Sequence, residues 1–373
     1  MIPVEIVSQP AQLEAAARAI SGARAIALDT ESNSRHRYPE QLCLIQIATI
    51  GQAYLVDTIA LKDIDPLRGI LLAGSTMKVI HGADYDIRCL DRYCGCRVRN
   101  LYDTSIAARF AGITKFGLAD LLEGLLGVDI PKSKRLQLAD WGRRPIPADA
   151  VDYAIADVSH LLTLQETLAQ RLEAMGRTGW VAEECARVEE VRYAEPNLET
   201  AFLSVKGAGD LDGSGLAILR SLFRFREGEA RRQGRPPFFI VPDAVLLALA
   251  ASPNTPLSQV PGLGQTALER FGRGLQQAVH EGQAALPFRR SPAPRPERPS
   301  PAQIERLSRL KAWRAPLSAA LALDPSLLWP TVSLERLARA PETLDDELAS
   351  GNVRQWQRDR FAASLRAFLQ SLA

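Results

Sequence analysis

AIALDTESNSRHRYPEQLCLIQIATI, residues 25–50, reads as two apolar strands joined by a polar, basic turn. Side chains alternate along a strand, so Asp29 and Glu31 share one face at the end of the first strand. The second run, Leu42 to Ile50, is too apolar to have a solvent face and reads as a central strand. Two carboxylates at the end of a buried strand are costly unless something positive neutralises them. A bound divalent metal would do so. A salt bridge to Arg35 or Arg37, in the turn itself, would do so too.

The 373 residues suggest two or three domains. Hydrophobic content of 46% and charged content of 24% are those of an ordinary soluble globular protein. No apolar run reaches the 18 residues a membrane helix needs, and the first ten residues lack the basic-then-apolar pattern of a signal peptide. Five cysteines, without a CxxC pair, read as reduced thiols rather than a zinc site. The expectation is a cytoplasmic, monomeric protein. The net charge of +2 averages over domains, so the placement of the arginines carries more information than their sum.

Around the opening stretch, the pattern predicts a helix at 11–20 and strands at 25–30, 42–50 and 53–57, linked closely enough for an antiparallel meander. A helix at 62–73, strands at 77–81 and 97–102, a helix at 84–93 and helical sequence from 104 to 175 follow. Strands first, then strands alternating with helices, give a mixed sheet covered by helices. Residues 206–215, KGAGDLDGSG, read as a flexible glycine-rich connector. The sequence beyond it is all-helical, with Asp243 in an N-cap position after Pro242. A Pro/Arg-rich linker divides it into two modules of similar size, which suggests a diverged duplication. The boundaries are 1–205, 206–285, 286–302 (the linker) and 303–373.

Two further stretches carry carboxylates. His81-Gly82-Ala83-Asp84-Tyr85-Asp86 runs from a strand through a glycine turn into a helix. Asp84 suits the capping role, which leaves Asp86 free, although an acid in a first helical turn needs no further reason than the helix dipole. In the helix around 149–162, Val151, Ala154, Ile155, Val158, Leu161 and Leu162 form an apolar stripe. Tyr153 and Asp157 stack four residues apart beside it, either on a solvated face or holding a water next to a metal.

Asp-Thr-Glu at a strand end, His-Gly-x-x-Tyr-Asp after a later strand and Tyr-x-x-x-Asp on a later helix fall in the order of three exonuclease motifs. The chain thereby resembles the DEDD family of 3′→5′ exonucleases, in its tyrosine subgroup, and most closely the ribonuclease D branch. GRPPFFIVPD and VPGLG in 214–282 look like the helical HRDC domain of that branch. The resemblance implies an α/β ribonuclease-H-like exonuclease domain followed by two small all-α helical domains. It implies Asp29, Glu31, Asp86 and Asp157 as metal-binding acids, Tyr153 as the residue orienting water, and two divalent ions, Mg²⁺ or Mn²⁺. The implied activity trims RNA with a single-stranded 3′ end, tRNA precursors above all, to nucleoside 5′-monophosphates. A catalytically silent RNA-binding scaffold and a DNA exonuclease are the competing readings. Cations interleaved with an aromatic residue suit phosphate contact and base stacking. On that ground Arg35, His36, Arg37, Lys132, Lys134, Arg135 and Trp141 near the site, with Arg143 and Arg144, are candidate RNA contacts. Arg220, Arg224, Arg226, Arg231, Arg232 and Arg235 are the candidates in the helical module.

Overall fold

The computed structural model of the chain describes residues 2–130, 133–290 and 298–372. Six strands, β1 (Val4–Val7), β2 (Ala25–Ser32), β3 (Leu42–Ala48), β4 (Ala53–Asp57), β5 (Met77–Ile80) and β6 (Leu101–Asp103), form one sheet in the order β1-β4-β3-β2-β5-β6. β2, β3 and β4 make the expected antiparallel meander, and β1, β5 and β6 join it in parallel. β3 is buried along its whole length, as its unbroken apolar run requires. The edge strand β1 went unread in the sequence.

Among the described residues nine helices lie around this sheet: α1 (Pro10–Ile20), α2 (Asp65–Leu72), α3 (Asp84–Cys94), α4 (Thr104–Phe110), α5 (Leu118–Leu126), α6 (Lys134–Gln137), α7 (Ala148–Ser159), α8 (Leu161–Ala174) and α9 (Thr178–Glu189). Two placements matter for the site. α7 packs against β2, β3 and β4. The start of α3 is pinned by a buried carboxylate, Asp103, at the end of β6. It accepts the N–H groups of Gly82 (3.0 Å) and Ala83 (2.8 Å), and also caps α4 through Ser105 (2.8 Å). Asp84 therefore does not cap α3, contrary to the sequence reading. Gly82 turns the chain there with φ of 75°, a left-handed conformation that a side chain would strain.

The next module, α10 (Leu198–Ala201), α11 (Gly213–Gln233), α12 (Pro237–Ile240), α13 (Asp243–Ala251) and α14 (Gln265–Ala284), encloses a core of its own. The stretch 206–215, read as a glycine-rich connector, runs through a short 3-10 turn into α11 and packs at a few points. Ala208 is fully buried, and a Cβ on Gly213 would come within 3.1 Å of the Phe288 carbonyl. Its glycines permit close approach of backbone. Asp243 is not a cap either; it occupies the first turn of α13 and binds Arg226 at 2.5 Å.

The last module comprises α15 (Pro301–Leu321), α16 (Pro325–Leu328), α17 (Thr331–Arg339), α18 (Leu344–Ala349) and α19 (Gln355–Gln370). One buried arginine repeats between the two modules. Arg226 reaches the Val241 carbonyl and the Asp243 side chain, 15 and 17 residues ahead, and Arg314 reaches the Trp329 carbonyl and Thr331 Oγ1 at the same offsets. The repeated offsets are the observation that speaks for the expected duplication. Unlike its predecessor, the last module shares one continuous core with the sheet domain. Trp356 stacks on Trp180 with centroids 4.5 Å apart, Arg177 donates to the carbonyls of Phe110 and Leu321 at 2.6 Å each, and Glu183 accepts the N–H groups that open α19.

Candidate active site

β2 ends beneath α7, and this brings together the acids that the sequence holds far apart. One carboxylate oxygen each from Asp29, Glu31 and Asp157 lie within 4.8 Å of one another. Asp86 joins them from the first turn of α3, only 5% exposed, and accepts a 2.6 Å hydrogen bond from Thr30 Oγ1 on β2. Its neighbour Asp84 is well exposed and pairs with Arg88 at 2.8 Å, so Asp86 is the acid that faces the cluster. Tyr153 sits one turn before Asp157, and its phenol acts to lower the pKa of that carboxyl.

Among the described residues, no lysine or arginine forms an ion pair with any of these four acids, and Arg35 and Arg37 pair with neither Asp29 nor Glu31. The electrostatic consequence is large. Burial, then the charges of Asp86, Asp157 and Glu31, hold the Asp29 carboxyl well above the usual range. Burial, with Asp157 and Asp86 adding to it, raises Glu31 to about 9. Burial raises Asp157 and Asp86 to about 7 each, against the opposing hydrogen bonds from Tyr153 and Thr30. Burial and the adjacent Asp157 push the Tyr153 phenol up as well, so it stays protonated at neutral pH. Four oxygen-donor acids held together, with no counter-charge among the described residues, form a site that fits hard divalent cations.

A cavity of about 170 Å³ opens on the cluster, lined by Glu31, Ser32, Arg35, Tyr85 and Gln137 among others. His36 Nε2 hydrogen-bonds the Leu138 carbonyl at 2.8 Å and ties the β2–β3 turn to the segment after α6, closing one side of the mouth. Gln46, directly opposite Asp29 in the β2–β3 register, escaped the sequence reading. It is fully buried and neither its amide nitrogen nor its amide oxygen has a partner. An apolar run with one polar residue facing an acidic strand was the available signal.

The candidate RNA contacts divide. Arg35, Arg37 and Lys134 are exposed beside or near the mouth; Arg135 is exposed but paired with Asp149 at 2.5 Å. Lys132 lies outside the described residues. Trp141 is no stacking platform: it is 3% exposed and supports the Tyr153 ring from beneath, centroids 6.2 Å apart. Arg144 is a clamp, bidentate to Asp57 at 2.6 Å for both bonds and donating to the carbonyls of Cys43 and Trp141. In the helical module Arg226 is buried and structural, and Arg220 is partly buried against Phe288. Arg224 and Arg232 are exposed and pair with Glu199 and Glu229, while Arg231 lies over the Tyr38 ring.

Comparison with known proteins agrees with the geometry. Residues 4–173 match the model of a 3′-5′ exonuclease family, and residues 215–279 match the HRDC domain. Ribonuclease D of Granulibacter bethesdensis is 33% identical over 90% of this chain and 85% of its own length. Escherichia coli RNase D superposes with a TM-score of 0.74 over 99% of both chains at 24% identity, which speaks for the fold. The catalytic core of RRP6 from Trypanosoma brucei superposes with a TM-score of 0.67 over 77% of this chain and 81% of its own, at 28% identity. The order of acids along the chain, their convergence in space and the match to relatives over nearly its whole length lead to one assignment: the chain belongs to the ribonuclease D family and is a 3′→5′ exoribonuclease.

Proposed function

We propose that the enzyme shortens RNA from a single-stranded 3′ end, one nucleoside 5′-monophosphate at a time, using two divalent cations, Mg²⁺ or Mn²⁺, at the carboxylate cluster. The observation that carries this reading is the gathering of Asp29, Glu31, Asp86 and Asp157, with no basic partner among the described residues, beside a protonated phenol. Asp29, Glu31 and Asp157 would hold one ion, and Asp29 with Asp86 the other. When bound, such ions neutralise charge on the scissile phosphate and acidify the attacking water. The chain itself contributes orientation. Thr30 fixes the Asp86 carboxylate, and Trp141 supports the Tyr153 ring. Tyr153 Oη–H is a donor, too weak an acid to act as a base at neutral pH, and its role is to orient water beside Asp157. Arg35 at the mouth meets the phosphate backbone.

One chain supplies the whole acid set, so a monomer suffices, and precursor tRNA is the substrate class we propose for it. Among the described residues no helix is long and apolar enough to cross a membrane. Digestion of matched 5′-labelled RNA and DNA oligomers, with Mg²⁺, Mn²⁺ or chelator, tests the reading. Stepwise shortening of the RNA from its 3′ end, abolished by chelator, is the expected result. Internal cuts, chelator-resistant cleavage or binding without degradation would overturn it. A stronger reaction on DNA would move the substrate class.

A further inference from the structure

A larger cavity, of about 450 Å³, lies where the sheet domain meets the first helical module. Its volume falls within the range of ~300–1,000 Å³ usual for small-ligand sites. The β2–β3 turn contributes Ser34, Tyr38 and Glu40, the chain after α9 contributes Tyr193, and α11 and α12 contribute Glu227 and Phe238. Ser34 also lines the cavity over the acids, so the two spaces adjoin. Between them stands Tyr85, whose hydroxyl bonds Ser32 Oγ at 2.5 Å and Glu40 at 3.4 Å.

The lining is aromatic and poor in free charge. Arg92 pairs with Glu40 at 2.9 Å and lies over Tyr193 at 4.2 Å; Glu227 accepts the Tyr38 hydroxyl; Arg231 covers Tyr38 at 5.5 Å and stands 3.9 Å from Glu195. Two arginines against three glutamates disfavour a phosphate inside. They leave carboxylate oxygens that accept the amino groups of a base edge. At the rim, Phe238 is 53% and Phe239 is 52% exposed, with centroids 4.5 Å apart, and Arg235 lies over Phe239 at 5.3 Å. Exposing two adjacent phenyl rings to water is unfavourable unless a ligand covers them. A base stacked on an aromatic ring covers it without demanding a particular sequence.

We propose that this junction cavity is a base-stacking subsite for RNA: Phe238 receives a nucleobase of the strand on the 5′ side of the nucleotide held at the acids. The proposal rests on the exoribonuclease reading. It makes the helical module part of the substrate path through one ring, and it gives the enzyme a grip on the strand that persists while the 3′ end is consumed.

The test uses the full chain, Phe238→Ala and Phe238→Trp, with single-stranded oligoadenylates from the shortest degraded up to ten nucleotides. Wild-type KM falls in a step once the strand is long enough to reach the cavity. Phe238→Ala, at an exposed position, keeps its melting temperature and loses that step, a rise of roughly 5–150-fold in KM for the long oligomers. Phe238→Trp restores it. A fluorescent 2-aminopurine walked along the decamer is quenched at one position in wild type and loses that quenching in Phe238→Ala. An Ala variant whose KM rises equally for short and long oligomers, or does not rise at all, overturns the proposal. Wild-type protein that degrades no RNA would defeat the exoribonuclease reading instead.

Discussion

In the proposed site Asp157 lies where the carboxylate cluster meets the phenol of Tyr153. It faces Asp29 and Glu31 with Tyr153 one turn away, and among the described residues no cation pairs with it. Asp157→Asn should therefore abolish turnover, while the metal-free protein melts no lower than wild type because like-charge repulsion is relieved. Turnover within ten-fold of wild type would remove Asp157 from the site. The raised acids also make stability depend on pH. In the metal-free protein Asp86, Asp157 and Glu31 bind protons more tightly folded than unfolded, so their contribution is complete below about pH 4, the ordinary carboxylate range. It fades as pH rises through about 7 for Asp86 and Asp157 and about 9 for Glu31. Melting temperature without metal should fall from pH 5 to pH 9, and added Mn²⁺ should raise it more at pH 8 than at pH 5. A metal-free protein equally stable across that window would contradict the electrostatics. Sequence made most of this site legible, because a period of two along a strand and four on a helix are local geometry. Gln46 and Asp103 were not legible, since their importance arises from partners brought together only by folding.

The segment between α6 and α7 had the look of an RNA-contacting loop, with cations alternating around Trp141. Depth is the property such a pattern lacks. Folding sends Trp141 under Tyr153 and Arg144 into Asp57, and leaves Lys134 and Arg135 outside. Trp141→Phe should consequently lower turnover, by up to about 10²-fold if the Tyr153 ring shifts by an ångström, and leave RNA affinity unchanged in an Asp157→Asn background. Weakened binding there would return Trp141 to the substrate channel. Along 206–215 the glycine content did not show that Gly207 would lie against Leu247 and Gly213 against Phe288. β1 was missed because half of it faces water: Val4 and Ile6 are 36% and 43% exposed, and the pairing with β4 fixes it.

Two helical modules of common design have opposite relations to the nuclease. The first keeps its own core and meets the sheet domain across the junction cavity through Tyr38, whose N–H donates to the Gly234 carbonyl at 3.1 Å. The second is built into the core of its host. Trp356→Ala should cost about 3–5 kcal/mol of stability, as large aromatic truncations in cores do. The salt dependence of RNA binding should be unaltered, because Trp356 and Trp180 meet each other and not the strand. Urea denaturation and a salt titration measure the two quantities; a stable variant with a flattened salt slope would assign the last module to RNA instead. Similar size and helical character told of two modules, but the sequence held no sign of which one would fuse.

The carboxylates that open α19 and the tryptophan it stacks on come early in the chain. Glu183 accepts the N–H of Trp356 from 173 positions away. A ribosome adds roughly 5–20 residues per second, so the sheet domain waits about 10–35 s for the helix that seals it. During that interval all the acids and Tyr153 have been made, while Trp180 and Phe110 remain uncovered. The newborn chain thus carries the proposed catalytic residues before the apolar face around Trp180 and Phe110 is sealed. Arrested chains ending near residue 290 should be cut by protease beside Trp180 at sites protected in the released protein. Equal protection in both would mean that the nuclease matures without its last helix.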